Sequence, residues 1–200
     1  MTSKLPAATK TYDGVIADFQ STMKALNLSY LDLYLIHAPW PWNERGANYD
    51  EGNIEVWKAM QDIYASGDVK AIGVSNFNGH DLQNILQMAD VKPMVDQIRY
   101  FVGYTEPQIT QFAQENGMLV EAYSPLATGG ILENADIKRI AKKYDVSVAQ
   151  LAIKFVLQNG VLPLPKATHQ DHIEANTELD FEISSDDMKS LNALSGTDMA

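Results

Sequence analysis

The sequence predicts an α/β fold built on a parallel sheet. Three observations point there. Short apolar runs of strand length alternate with longer segments of helical period along the whole chain. Consecutive strands are separated by helix-length stretches, so they pair in parallel through crossovers rather than as hairpins. No Gly-rich phosphate turn follows the first clear strand, and the Gly129-Gly130 pair comes late and without GxGxxG spacing, which weakens a doubly wound dinucleotide-binding sheet. A full parallel barrel takes about 250 residues and eight strands; five or six strands are readable in these 200 residues. Periodicity alone leaves open whether the sheet is open or closed.

In order along the chain, the first four residues read as the end of a strand. Val15, Phe19, Met23 and Leu26 recur at helical spacing. Residues 30–36 (YLDLYLI) form the first clear strand, with Leu31, Leu33 and Leu35 on one face. Ile54, Trp57 and Ile63 mark the next helix, residues 69–74 (VKAIGV) a strand, and Leu82, Ile85, Leu86 and Ala89 a third helical stripe. Residues 94–98 (MVDQI) are a strand, and Thr105 to Gln108 resembles a capping box with Pro107 early in the helix. Residues 118–123 (MLVEAY) form a strand. Ser147 and Gln150 open a further helix, and Gly160 sits just past its end, where a left-handed residue is wanted. Residues 161–164 (VLPL) complete the strands, and a last helix follows Ser184 and Ser185.

Composition narrows the function classes. Hydrophobic residues make up 46% of the chain and charged residues 20%, with no long polar tract, which suits a single domain over residues 1–200 with one sizeable core. The formal net charge of −11 argues against a nucleic-acid surface, because phosphate binding needs clustered Lys and Arg. With no cysteine, thiolate chemistry and disulfides are excluded, and the chain fits a reducing cytoplasm. The N-terminal residues lack an apolar core of signal length, and no stretch is long enough to span a membrane.

Ligand sites in parallel α/β folds lie beyond the carboxyl ends of the strands. The polar residues there are His37, Ser75 and Asn76, Gln97, Tyr123 and Ser124, and Lys166. Each alone has an ordinary explanation, since a polar residue at a strand end often satisfies loop backbone groups. Five strand ends carrying donors to one rim make a polar, partly apolar pocket suited to a flat polar ring and an anionic phosphate. His169 and His172 form an H-x-x-H pair, but with no Cys and no third ligand in reach by sequence no metal is expected. Asp186 and Asp187 are read as a helix-start charge pair rather than an acid/base pair.

Residues 30–39 (YLDLYLIHAP), 73–77 (GVSNF), 95–100 (VDQIRY), 122–126 (AYSPL) and 165–176 (PKATHQDHIEAN) resemble, in order, signature segments of the aldo-keto reductases. The resemblance implies a (β/α)8 TIM-type barrel with a nicotinamide cofactor across its carboxyl-terminal rim. Here the barrel is expected to be incomplete, with the first two βα units absent and about six strands retained. The implied activity is reduction of an aldehyde or ketone by hydride from NADPH. By match to the family pattern, Ser75, Asn76 and Gln97 bind the nicotinamide carboxamide and Tyr123 stacks on the ring. Ser124 and Leu126 line the pyrophosphate path, Lys166 meets the adenosine 2′-phosphate, His172 stands where the family has a further phosphate-binding cation, and Asn176 contacts adenine. Catalysis in the family uses a Tyr as general acid, a Lys that lowers its pKa, an Asp that orients the Lys, and a His that fixes the carbonyl. The logic is that a phenol near pKa about 10 donates poorly unless a cation favours its anion. His37 and Lys4 match the His and the Lys.

The departures carry expectations of their own. The family Asp and Tyr belong to a segment before the first residue here, which leaves the activity of a truncated chain in doubt; Tyr49 is the nearest substitute for the acid. Ala167 and His172 stand where the family commonly has Ser and Arg, so loss of a permanent bidentate cation predicts a relaxed NADP preference with NAD accepted. Ala38 replaces a common tryptophan, and Trp40 and Trp42 are expected to supply apolar walls to the substrate pocket. The expected partner is a small carbonyl compound, with no nucleic acid and no membrane, and an unclosed sheet favours self-association. The alternatives are a cofactor-binding protein or subunit without turnover, and a barrel hydrolase without cofactor.

Overall fold

A computed structural model describes residues 1–198. The chain divides into two compact units: Met1–Gln97 with Gln111–Leu119, and Ile98–Thr110 with the chain from Val120 onward.

In the first unit, β1 (Thr2–Leu5), β2 (Leu33–Ile36), β3 (Ile72–Ser75) and the start of β4 (Val95–Arg99) pair in parallel, in chain order. β2 and β3 are shorter than the apolar runs that predict them, residues 30–36 and 69–74. Leu31 and Val69 make an isolated parallel bridge, so pairing begins early and then lapses for two residues on each side before β2 and β3 pair at Tyr34 and Ile72. Helix α1 (Tyr12–Leu26) starts at Thr11, whose hydroxyl accepts from the Gly14 amide, and ends at Asn27 in the left-handed conformation, φ 52°. Helix α2 (Asp50–Ser66) packs against α1 and against α3 (Gly79–Leu86). A reciprocal capping box opens α3, with Asn78 and Asp81 exchanging bonds of 3.0 and 3.1 Å. The apolar stripe predicted to reach Ala89 ends at Leu86.

The register assigns every strand residue to a face. Leu5, Ile36, Val74 and Asp96 are in register across the four strands. Tyr34, two residues before Ile36, meets Phe19 of α1 at 5.3 Å between ring centroids, so this is the helix-covered face. The opposite face carries Leu33, Leu35 and Val95 as a small apolar cluster. Gly73 lies between them in register, and a Cβ there would stand 2.5 Å from the Val95 carbonyl and 2.9 Å from the Leu35 side chain. Glycine at this position is what lets neighbouring side chains fill the centre.

In the second unit, β5 (Leu119–Tyr123) pairs in parallel with β6 (Leu162–Leu164), Tyr123 opposite Leu164. Helix α4 (Pro107–Glu115) begins at its proline. The expected Thr105 cap is not realised: Glu106 has φ 40°, outside the right-handed helical region that a proline denies to the residue before it. The capping box of α6 (Val148–Gln158) is present, with Ser147 Oγ accepting from the Gln150 amide at 3.1 Å, and Gly160 has φ 72°. Two helices have no counterpart in the sequence reading: α5 (Ala135–Lys143), capped by Asn134, and α7 (Gln170–Ala175). Helix α8 (Ser185–Asn192) follows Ser184 as expected. Asp187 is the hub that ties it to α5, accepting from Lys143 Nζ at 2.5 Å and from the Tyr144 hydroxyl at 2.8 Å. Those partners hold the Asp187 carboxyl below its ordinary range.

Among the described residues, no helix is long and apolar enough to cross a membrane.

Candidate active site

Parity and register together decide which rim residues of the first unit meet. Lys4 is opposite Leu35, Leu35 is opposite Gly73, and Ser75 is opposite Gln97. Two residues along a strand return to the same face. Lys4, His37, Ser75 and Gln97 therefore share the face opposite the helices, above the Leu33, Leu35 and Val95 cluster, at the carboxyl ends of β1 to β4. Ser75 and Gln97 are buried and His37 half-buried.

A closed hydrogen-bond network fixes three of these strand ends. The Ser75 hydroxyl donates to the Gln97 carbonyl at 2.7 Å and accepts from Asn76 Nδ2 at 3.2 Å. Asn76 Nδ2 also donates to the His37 carbonyl at 2.9 Å, and the Asn76 amide donates to the Gln97 carbonyl at 3.0 Å. Asn76 can do both because it sits in the left-handed conformation, φ 61°, which asparagine tolerates better than most residues. The His37 amide closes the other side by donating to the Leu5 carbonyl at 3.2 Å.

His37 has its pKa lowered, first by burial and then by the positive charge of Lys4. The imidazole is thus neutral at neutral pH, with one N–H donor and one acceptor nitrogen. The Trp42 ring stands edge-on to it, centroids 5.2 Å apart at 87°, and Trp40 stands edge-on to Trp42 at 5.4 Å. Trp42 is 47% exposed.

Behind this face lies a polar group that the sequence reading did not pick out. Lys10, in the loop after β1, donates from Nζ to the Ala38 carbonyl at 2.9 Å and to Asn53 Oδ1 at 3.0 Å. Burial lowers its pKa to about 8, against the opposing pull of Asp81. Asp96 is fully buried on the helix-covered face, and neither carboxyl oxygen has a hydrogen-bond partner of ordinary geometry. Burial pushes its carboxyl well above the usual range, partly offset by the Phe77 backbone amide. Alternation gives a signal for Asp96: Val95 and Gln97 on one face force the residue between them to the other. No comparable signal exists for Lys10, whose partners lie 28 and 43 residues away.

Tyr49 does not have the environment of a general acid. Its exposed hydroxyl donates to the Glu44 carboxylate at 2.5 Å, and that bond raises the phenol's pKa. A catalytic phenol needs the opposite shift.

In the second unit, Tyr123 ends β5 and Ser124 and Leu126 follow in a turn where Ser124, Ala127 and Thr128 all have positive φ, 49–54°. Lys166, two residues past Leu164, is exposed at the same end of the β5–β6 pair. His172 lies on α7 and Asn176 at its C-cap, the Asn176 amide donating to the His172 carbonyl at 3.0 Å. His169 and His172 meet edge-on at 5.6 Å. Among the described residues, no group of three His, Cys, Asp or Glu is placed to hold a metal ion.

The family model described as the aldo/keto reductase family matches residues 2–195. An uncharacterized oxidoreductase of Bacillus subtilis is 38% identical over 196 residues, covering 97% of this chain and 66% of its own length. A glyoxal reductase of the same organism is 36% identical over 195 residues, covering 97% of this chain and 67% of its own. The chain thus spans about two thirds of the length of these curated relatives. Among solved structures, a Bombyx mori aldo-keto reductase in complex with NADP superposes with a TM-score of 0.86 at 28% identity, over 98% of this chain and 67% of that one.

Proposed function

Because this chain belongs to the aldo-keto reductase family, we propose that it supplies the carbonyl-orienting and cofactor-holding part of a reductase that transfers hydride from NADPH, and also from NADH, to a small aldehyde or ketone. One observation carries the reading: Lys4, His37, Ser75 and Gln97 share one face at the carboxyl ends of four parallel strands. The Bombyx mori relative bound to NADP supports the choice of cofactor.

The donor set suits a nicotinamide cofactor. A carboxamide both donates and accepts, as do the side-chain amides of Asn76 and Gln97, and binding would exchange some of the bonds that now join Ser75, Asn76 and the strand ends for bonds to the cofactor. In the second unit, the Tyr123 ring suits a flat heterocycle, with Ser124 and Leu126 along the diphosphate. The exposed Lys166 ammonium suits the 2′-phosphate, His172 adds charge only when protonated, and Asn176 suits adenine. When bound, the cofactor supplies the hydride that goes to the carbonyl carbon.

The chain's own residues orient the carbonyl and stabilise its oxygen. Neutral His37 donates an N–H to that oxygen as negative charge grows on it. The Lys4 ammonium on the same face adds a positive charge to the same site. Trp40 and Trp42 wall the substrate's apolar part. The family's Asp and Tyr motif has no match in these residues, so the proton delivered to the oxygen comes from a group outside the matched set.

The test is NADPH consumption with a small aldehyde, for the wild type and for His37→Ala. Turnover that falls about a hundredfold or more in the variant supports the reading; turnover unchanged in the variant contradicts it. The Tyr49–Glu44 bond favours a second reading, cofactor binding without turnover, because it holds the phenol proton rather than releasing it. Saturable NADPH binding with no consumption of NADPH distinguishes that reading from the first.

A further inference from the structure

Resting on the assignment of His37 as the carbonyl-orienting residue, we propose that Arg45 sets substrate specificity and selects carbonyl compounds that carry a carboxylate on a flat apolar body. The guanidinium carbon of Arg45 lies 5.2 Å from the centroid of the Trp40 ring and 6.0 Å from that of Trp42. Trp42 in turn stands against His37 at 5.2 Å. One indole therefore touches both the imidazole and the arginine, and a ligand lying along that indole reaches both.

The arginine is held and yet uncommitted. Among the described residues it makes no ion pair and no hydrogen bond, and it faces the two rings. The acid next to it in sequence, Glu44, is engaged by the Tyr49 hydroxyl at 2.5 Å. A cation–π contact restricts the guanidinium without using its N–H groups, which keep the planar fork that matches a carboxylate. Pro41, φ −59°, and Pro39 bracket Trp40 and stiffen the loop that presents these rings.

Charge and surface chemistry favour the same ligand. A net charge of −11 repels anions from the molecule as a whole, so a local fixed cation is needed to hold one. The exposed Trp42 ring, 47% accessible, is a large apolar surface beside a polar histidine, and a flat ligand body would cover it. A neutral aldehyde uses the rings alone; an aldehyde acid uses the rings and the arginine together.

The probes are para-carboxybenzaldehyde and its methyl ester, titrated against tryptophan fluorescence. Of the three tryptophans, Trp57 is 2% exposed, so quenching reports on Trp40 and Trp42. The acid is expected to bind about tenfold more tightly than the ester, with the difference shrinking as salt is raised. Arg45→Gln is expected to bring the two affinities within about twofold, and Arg45→Lys to restore only part of the difference. Arg45 is exposed, and circular dichroism checks that each variant keeps the fold. Equal affinity of the wild type for acid and ester, or a preference that survives in Arg45→Gln, overturns the proposal. NADPH added to the acid complex tests the other layer separately: preferential binding of the acid without NADPH consumption contradicts the reductase reading and supports the role of Arg45.

Discussion

Lys10 Nζ donates to the carbonyl of Ala38 at 2.9 Å, one residue beyond the histidine proposed to orient substrate. The same ammonium reaches Asn53 on α2 at 3.0 Å, so one side chain joins the β1 loop, the end of β2 and a helix. Lys10→Met leaves both acceptors without that donor and is expected to cost about 1–3 kcal/mol in urea unfolding. The pH dependence has a definite sign. A lysine lowered from 10.5 to about 8 by folding makes the unfolded chain bind more protons between those values. Wild-type stability relative to Lys10→Met therefore rises as pH passes upward through about 8.

Asp96 should behave in the opposite sense. Its folded carboxyl is raised well above 3.8, so the native state binds more protons than the unfolded chain once pH exceeds that value. The residue thus costs stability at neutral pH, and the cost vanishes in acid. Asp96→Asn is expected to stabilise the protein at neutral pH by about 1–3 kcal/mol. The gain should shrink as pH falls toward the unfolded value. Urea midpoints across pH measure it.

The Lys4 charge is one of the causes that lower the His37 pKa. Lys4→Met should therefore raise it, moving the acid limb of any activity profile upward in pH. Proton NMR titration of the His37 ring reads the same shift without turnover.

Gly73→Ala sets a methyl group 2.5 Å from the Val95 carbonyl and against Leu35. Backbone cannot yield there as a flexible side-chain tip would, so a loss of about 1–3 kcal/mol is expected in urea unfolding.

Cofactor preference is tested at Lys166 and His172. With one permanent cation rather than two, NADPH is expected to bind less than about a hundredfold tighter than NADH. His172→Arg should widen the gap and Lys166→Ala should close it, both measured by calorimetric titration.

Much of this was legible in the sequence, and for identifiable reasons. The alternation of apolar runs with helical stripes located all six strands, and strand ends are where chemistry collects, so Lys4, His37, Ser75 and Gln97 could be named before their common face was known. The α6 cap and the Gly160 stop were readable because both depend on residues adjacent in sequence. The Thr105 cap misled because the rule that a proline expels its predecessor from the helix outweighed the box pattern. Lys10 escaped because its acceptors come from distant segments, and α7 because it has six residues and no apolar stripe. Arg45 has no place in the sequence reading, because residue order does not show that the loop brings its guanidinium to 5.2 and 6.0 Å from the Trp40 and Trp42 rings.

Calorimetric titration of the folded protein with NADPH, repeated for Gln97→Ala, puts the shared face of Lys4, His37, Ser75 and Gln97 to its most direct test. Saturable binding in the wild type, weakened about tenfold or more in the variant, is the predicted result. Absence of binding to NADPH and NADH alike, or affinity untouched by the loss of Gln97, would contradict it.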